Sequence, residues 1–138
     1  MTANRLRWLM NVWPPFLFAG IRVREISADY RRARVELHQR WFNRNYVGSH
    51  FGGSLFAMTD PFWMLMVLHH LGRDHYVWDK AGEIEFVKPG RGVVQTAFAL
   101  DDGVLDGLPR KALIDAFRIV EDADLVGAYR RKMASLLF

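Results

Sequence analysis

Apolar positions along the chain recur with two periods, and the switches between them outline the elements. Residues 3 to 12 read as a short amphipathic helix stopped by Pro14-Pro15. Ile21 and Val23 then alternate with Arg22 and Arg24, and Ala33, Val35 and Leu37 with Arg32, Arg34, Glu36 and His38. A period of two with one charged face predicts half-buried antiparallel strands, turned at Ala28-Asp29. Residues 43–53 have no apolar period and are rich in turn formers. From Ser54 to Leu71 the chain is strongly apolar, with Ser54 as a candidate cap and Gly72 as a stop, which predicts a helix over 53–72 that is buried all round. Four strands follow: one around Ile84 and Phe86, one over Val93 to Leu100 after a Pro89-Gly90 turn, and a final pair, Leu113 to Val120 and Leu125 to Met133, turning at residues 121–124. Asp102-Gly103 and Asp106-Gly107 punctuate the loop before that pair.

The order is helix, two strands, long helix, four strands, in a single α+β domain covering residues 1–138, with 1–18 as N-terminal helix and connector. The 138 residues are about half apolar, enough for one core. One curved antiparallel sheet of about six strands wrapped round one helix leaves apolar surface uncovered. The aromatics (ten Phe, five Trp, four Tyr) favour covering it with a second copy.

The absence of cysteine excludes disulfides, thiolate metal sites and a Cys nucleophile, and fits a cytoplasmic protein. The net charge of +4 is a mild, scattered excess; a nucleic-acid partner would call for a denser basic stripe. The apolar N-terminal stretch after Arg5 and Arg7 is broken by Asn11 and Pro14-Pro15, unlike a signal peptide, and the run Leu55 to Leu68 is too short for a membrane span. His69, His70 and His75 lack a matched acid at ligand spacing, so no metal is expected. No nucleophile elbow or phosphate-binding loop occurs.

The chemistry-bearing stretch is Asn45 to Asp60. Asp60 falls about two turns into the apolar helix and is followed by Pro61, which disfavours helical angles at Asp60. A carboxylate at a kink in an apolar helix tends toward a raised pKa, as a general base needs; it serves equally as a structural acid bonding freed backbone groups. Gly52-Gly53 at a helix start allows a ligand close to backbone N–H groups, or makes a tight loop-to-helix junction. Asn45 and His50 in the preceding loop read as turn residues or as site residues.

The run from Asn45 through Gly52-Gly53 to Asp60 resembles the active-site segment of hotdog-fold thioesterases of the phenylacetic-acid-pathway type. The segment Trp78 to Gly92 is similar to the strand-turn-strand of a hotdog branch, the domain-of-unknown-function 4442 group. The resemblance implies the hotdog fold, hydrolysis of an acyl-coenzyme A thioester, and a homodimer or dimer of dimers whose site is shared between subunits. No cofactor is implied beyond the coenzyme A of the substrate. By that resemblance Gly53 N–H polarises the thioester carbonyl, Asn45 positions substrate or water, and Asp60 is general base or nucleophile. Gly52, His50 and Phe51 line the substrate site, and Lys88 and Arg91, with Arg130 and Arg131, are candidates for the coenzyme phosphates. The chain departs from the family at Phe51, where a His precedes the glycine pair; His50 stands one place earlier. The alternatives are a non-catalytic acyl-binding protein on the same scaffold, and an acyl hydratase.

Overall fold

The computed structural model describes residues 1–72, 74–77, 79, 81–101, 112–114 and 129–135; for 81, 112–114 and 129–135 it describes the backbone alone. Helix α1 (Ala3–Val12) starts at Thr2, whose hydroxyl oxygen accepts from Arg5 N–H. Its core face is Ala3, Leu6 and Met10. Pro14-Pro15 does more than end it: the two prolines open a second short helix, α2 (Pro14–Ala19), where a missing N–H costs nothing.

Strands β1 (Ile21–Ile26) and β2 (Arg32–His38) pair antiparallel about the turn that contains Asp29, and β2 pairs in turn with β4 (Val93–Ala99). A bulge between Val23 and Glu25 makes Arg24 the extra residue. Strict alternation would turn Glu25 inward; the bulge turns it out and buries Ile26 instead. Asn11 covers the outer edge of β1: its side-chain amide donates to Val23 O (3.0 Å) and accepts from Val23 N–H (2.8 Å). The edge strand thereby gains the partner it would otherwise seek elsewhere.

The second sheet holds β3 (Ala81–Phe86), β5 (Ala112–Ile114) and β6 (Tyr129–Ser135), in the order β3-β6-β5, all antiparallel. The expected loop turns at 102–103 and 106–107 and the turn at 121–124 lie outside the described residues, as do Trp78, Lys80 and the side chains of Arg130 and Arg131. The Pro89-Gly90 segment connects the two sheets and is not a hairpin, since β3 and β4 do not pair with each other.

The single helix expected over 53–72 is two helices, α3 (Gly52–Ala57) and α4 (Asp60–Leu71). Pro61 cannot supply an N–H to continue α3, so the chain breaks at Met58-Thr59, and Thr59 Oγ1 and N–H both donate to Phe56 O. Ser54 is not the cap: Phe51 holds that place, and Ser54 lies buried within α3. Gly72 does end α4, at a φ of 87° that favours glycine.

Phe62, Trp63, Met66 and Val67 press α4 onto the sheet, with Phe98 of β4 stacked on Phe62 (centroids 4.9 Å apart) and edge-on to Trp63 (5.6 Å). The other apolar stripe of α4, Pro61, Met64, Leu65 and Leu68, is only half-buried. The expectation of burial all round therefore fails for the single chain: one sheet covers one side of a helix.

On the polar face of β2, Glu36 is buried. It accepts from Arg24 Nε (2.6 Å), from His38 Nε2 (2.8 Å) and, at its other oxygen, from Gln95 (3.1 Å). Burial pushes this carboxyl up, but the bonds from Arg24 and His38 outweigh it and hold the group below its usual 4.5. A depressed carboxylate stabilises the fold above the usual range, and that contribution disappears as pH falls through the lowered value. We expect Glu36→Gln to lose about 1–3 kcal/mol at neutral pH. Thermal unfolding between neutral pH and pH below 4 should fall less steeply for the variant than for the wild type; parallel curves would assign the acid sensitivity to another group.

Candidate active site

The loop before α3 is a closed unit. Arg44 and His50 bridge antiparallel, Asn45 N–H donates to Ser49 O (2.8 Å), and Gly48, at φ 76°, makes the tight turn between them. Asn45 stitches it from within: its amide nitrogen donates to Ser49 Oγ (2.7 Å) and His50 O (3.2 Å), and its oxygen accepts from Ser49 N–H (2.9 Å). Both amide hydrogens are thus engaged within the loop, while the amide oxygen has a second lone pair and the side chain lines the cleft at Gly52.

His50 is buried and joins this loop to the one before β4. Its N–H donates to Gly90 O (2.9 Å) and its ring Nε2 lies 3.0 Å from Gly92 O. A carbonyl only accepts, so Nε2 carries the hydrogen. Burial pushes its pKa down, the Gly92 bond pulls the other way, and the charge of His38 lowers it further; the net is below 6.5. Gln39 completes the junction, a residue the sequence reading missed. It donates from its N–H to Gly92 O (2.9 Å) and from Nε2 to Gly48 O (2.9 Å), and its side-chain oxygen accepts from Gly92 N–H (3.0 Å).

Phe51 is more than half exposed and leads into Gly52-Gly53. A Cβ at Gly53 would run into the Phe51 ring, and one at Gly52 would come within 2.9 Å of the Phe86 ring. The glycine pair is where two aromatic rings close on backbone. Asn45, His50, Gly52, Phe86 and Lys88 line a cleft of about 380 Å³ here. Arg91 is exposed and is not among the residues that line it.

Asp60 lies elsewhere. It is the first residue of α4, not two turns into a helix, and it is exposed in the single chain, so the burial inferred for it is absent. A carboxylate in the first turn is favoured by the helix dipole. Asp60 stands at a larger cavity, about 1070 Å³, with the open stripe of α4 on one wall and Leu6, Trp13 and Val77 among the residues of the other. Tyr30 and His69 close one end, stacked at 3.9 Å; Tyr30 holds a φ of 54°, unusual for a bulky residue, and its hydroxyl donates to Met1 O. Nothing in the local sequence at Ala28-Asp29-Tyr30 signals that role, because it depends on α1 and α4 meeting at the turn. Asn45 and Asp60, adjacent in the sequence argument, line different cavities of one chain.

Residues 3–126 match the family described as domain of unknown function DUF4442. The chain belongs to that family. No curated protein matches it in sequence. Among solved structures, a Pseudomonas aeruginosa protein described as of unknown function and a probable thioesterase superposes with a TM-score of 0.77 at 18% identity, over 96% of this chain and 92% of that one. The Escherichia coli PaaI protein from the phenylacetic acid degradation operon gives 0.68 at 16% identity, over 98% and 91%. A Haemophilus influenzae thioesterase gives 0.67 at 16%, over 99% and 92%. These likenesses show the fold: this DUF4442 chain is a hotdog protein of the α+β class.

A histidine kept neutral by burial stabilises the fold above its usual 6.5 and stops doing so as pH falls through its lowered value. We expect wild-type stability to drop on acidification below pH 6.5 by more than that of His50→Gln, which can still donate to Gly92 O. His50→Ala should cost about 1–3 kcal/mol at neutral pH. Chemical denaturation at two pH values checks both; an equal pH response in wild type and His50→Gln would remove His50 as the titrating group.

Proposed function

We propose that this DUF4442 protein hydrolyses an acyl-coenzyme A thioester at a site shared between two copies of the chain. The observation that carries the reading is the placement of Asp60: a carboxylate at the rim of an apolar cavity of about 1070 Å³, next to a helix stripe that is only half-buried in the single chain. An acyl chain is the kind of group such a cavity takes, and a carboxylate at its rim is positioned to activate water. The hotdog fold shared with proteins described as thioesterases supports the same class.

The separation of the two cavities supports a division of labour between subunits. One subunit supplies Gly52 and Gly53, whose N–H groups polarise the thioester carbonyl; Asn45, His50 and Gln39 hold that backbone in place. Lys88, at the same cleft, and Arg91 meet the phosphates of coenzyme A. The other subunit supplies Asp60, which takes a proton from water as the water attacks the carbonyl carbon; the tetrahedral intermediate then expels the thiolate. Covering the open stripe of α4 with the partner dries the site and gives Asp60 the low-dielectric surroundings that a base needs. No metal or cofactor enters these steps.

Purified protein should release free thiol from some member of a panel of short, long and aromatic acyl-coenzyme A esters. Asp60→Asn should lower kcat by about 10²-fold or more while leaving the fold intact. If the site is shared, co-expressing Asp60→Asn with Asn45→Ala chains should restore activity, because one site of the mixed dimer then has both halves native. Acyl-ester binding without thiol release by the wild type would instead select a binding protein on the hotdog scaffold.

A further inference from the structure

The first 24 residues contain no Asp or Glu, and neither do residues 37–59. Both segments are instead studded with arginine and exposed aromatics. In α1 the residues at 5, 8, 9 and 12 share the face turned away from Ala3, Leu6 and Met10. That outer face is Arg5, Trp8, Leu9 and Val12, all exposed, with Trp8 at 64%. In α2, Phe16 goes to the core while Leu17 and Phe18 point out, Phe18 at 70%. In the loop after β2, Trp41 is 82% exposed and packs edge-on against exposed Phe42, between Arg40 and Arg44.

The loop and α2 form one surface, and α1 adjoins it through Asn11, which lines the same cleft. Asn43 ties the loop to the end of α2, donating to Ala19 O (2.8 Å) and His38 O (2.9 Å). Leu17, Phe18 and Phe42 line a single shallow cleft of about 250 Å³ together with Arg22 and Arg40. A patch of this kind is larger and more aromatic than an isolated surface leucine, and it calls for an occupant.

Its chemistry chooses among occupants. A second copy docked symmetrically would set Arg5, Arg40 and Arg44 against themselves with no acid from either segment to answer them. A membrane surface takes both halves: Trp and Phe settle at headgroup depth, and arginines meet anionic lipid. No helix among the described residues is long and apolar enough to cross a membrane, so the contact lies in the interface plane. We propose that α1, α2 and the Trp41-Phe42 loop form a docking surface for anionic bilayers. Trp13, at the junction of α1 and α2, is half-exposed and lines the cavity beside Asp60.

The test is co-sedimentation of the full chain with vesicles of phosphatidylcholine alone and of phosphatidylcholine with roughly one-third phosphatidylglycerol. Anionic vesicles should carry the protein down, neutral ones far less, and salt of about 1 M should release most of it. Trp8→Glu with Phe18→Glu, both at exposed positions, should lower the bound fraction by about tenfold or more with the elution volume of the free protein unchanged. Equal binding to both vesicle types, or none to either, overturns the proposal. So does a variant that keeps its vesicle binding but changes its oligomeric state, since the patch would then join copies of the chain.

Discussion

Helix α4 carries two apolar stripes at helical spacing, and in the single chain only one of them is fully buried while the other is half-buried. Phe62, Trp63, Met66 and Val67 meet the sheet; Pro61, Met64, Leu65 and Leu68 do not. That asymmetry sets much of what surrounds it. It makes the large apolar cavity, it places Asp60 at the rim, and it leaves a surface whose exclusion from water needs something besides this chain. Each buried large side chain on the covered stripe is worth about 1.5–3 kcal/mol, so leaving the second stripe half-buried forgoes part of a comparable sum.

The break before α4 is the second constraint. Pro61 ends the backbone continuity of α3 and starts a new helix, so Asp60 becomes a first-turn residue with the favourable end of a dipole behind it. The loop on the far side of α3 is held by a different logic, side-chain amides acting as extra backbone: Asn45 within the loop, Gln39 between loops, Asn43 to α2, Asn11 at the edge of β1. Each satisfies peptide groups that no strand or helix reaches.

The outer face of the molecule is divided by charge as well as by polarity. The face of β1 and β2 that carries Arg24 and Glu36 pairs its charges internally. The N-terminal helices and the loop after β2 have arginines without acids and, apart from Phe16, aromatics that stay about half exposed or more. Two polar economies on one small domain imply two kinds of neighbour, water on one side and a partly apolar, anionic surface on the other.

By itself, the sequence determined what periodicity and chain-breaking residues can encode. It determined the strands that begin at Ile21, Arg32 and Val93, the first helix, the apolar character of α4, the stop at Gly72, and a distortion at Pro61, where it implied a kink in one helix and the structure has two helices. These are local, because each rests on alternation or on the geometry of one residue. The tertiary structure decided everything that depends on distance along the chain. The bulge at Arg24 appears only once β1 is laid on β2. Asn45 turns inward to its own loop, and His50 and Gln39 become fasteners because the Gly90-Gly92 segment arrives beside them. Asp60 is exposed, not buried, because a single sheet cannot surround a helix; the pattern of apolar residues gave the need for cover, and only the packed chain showed which side goes without it.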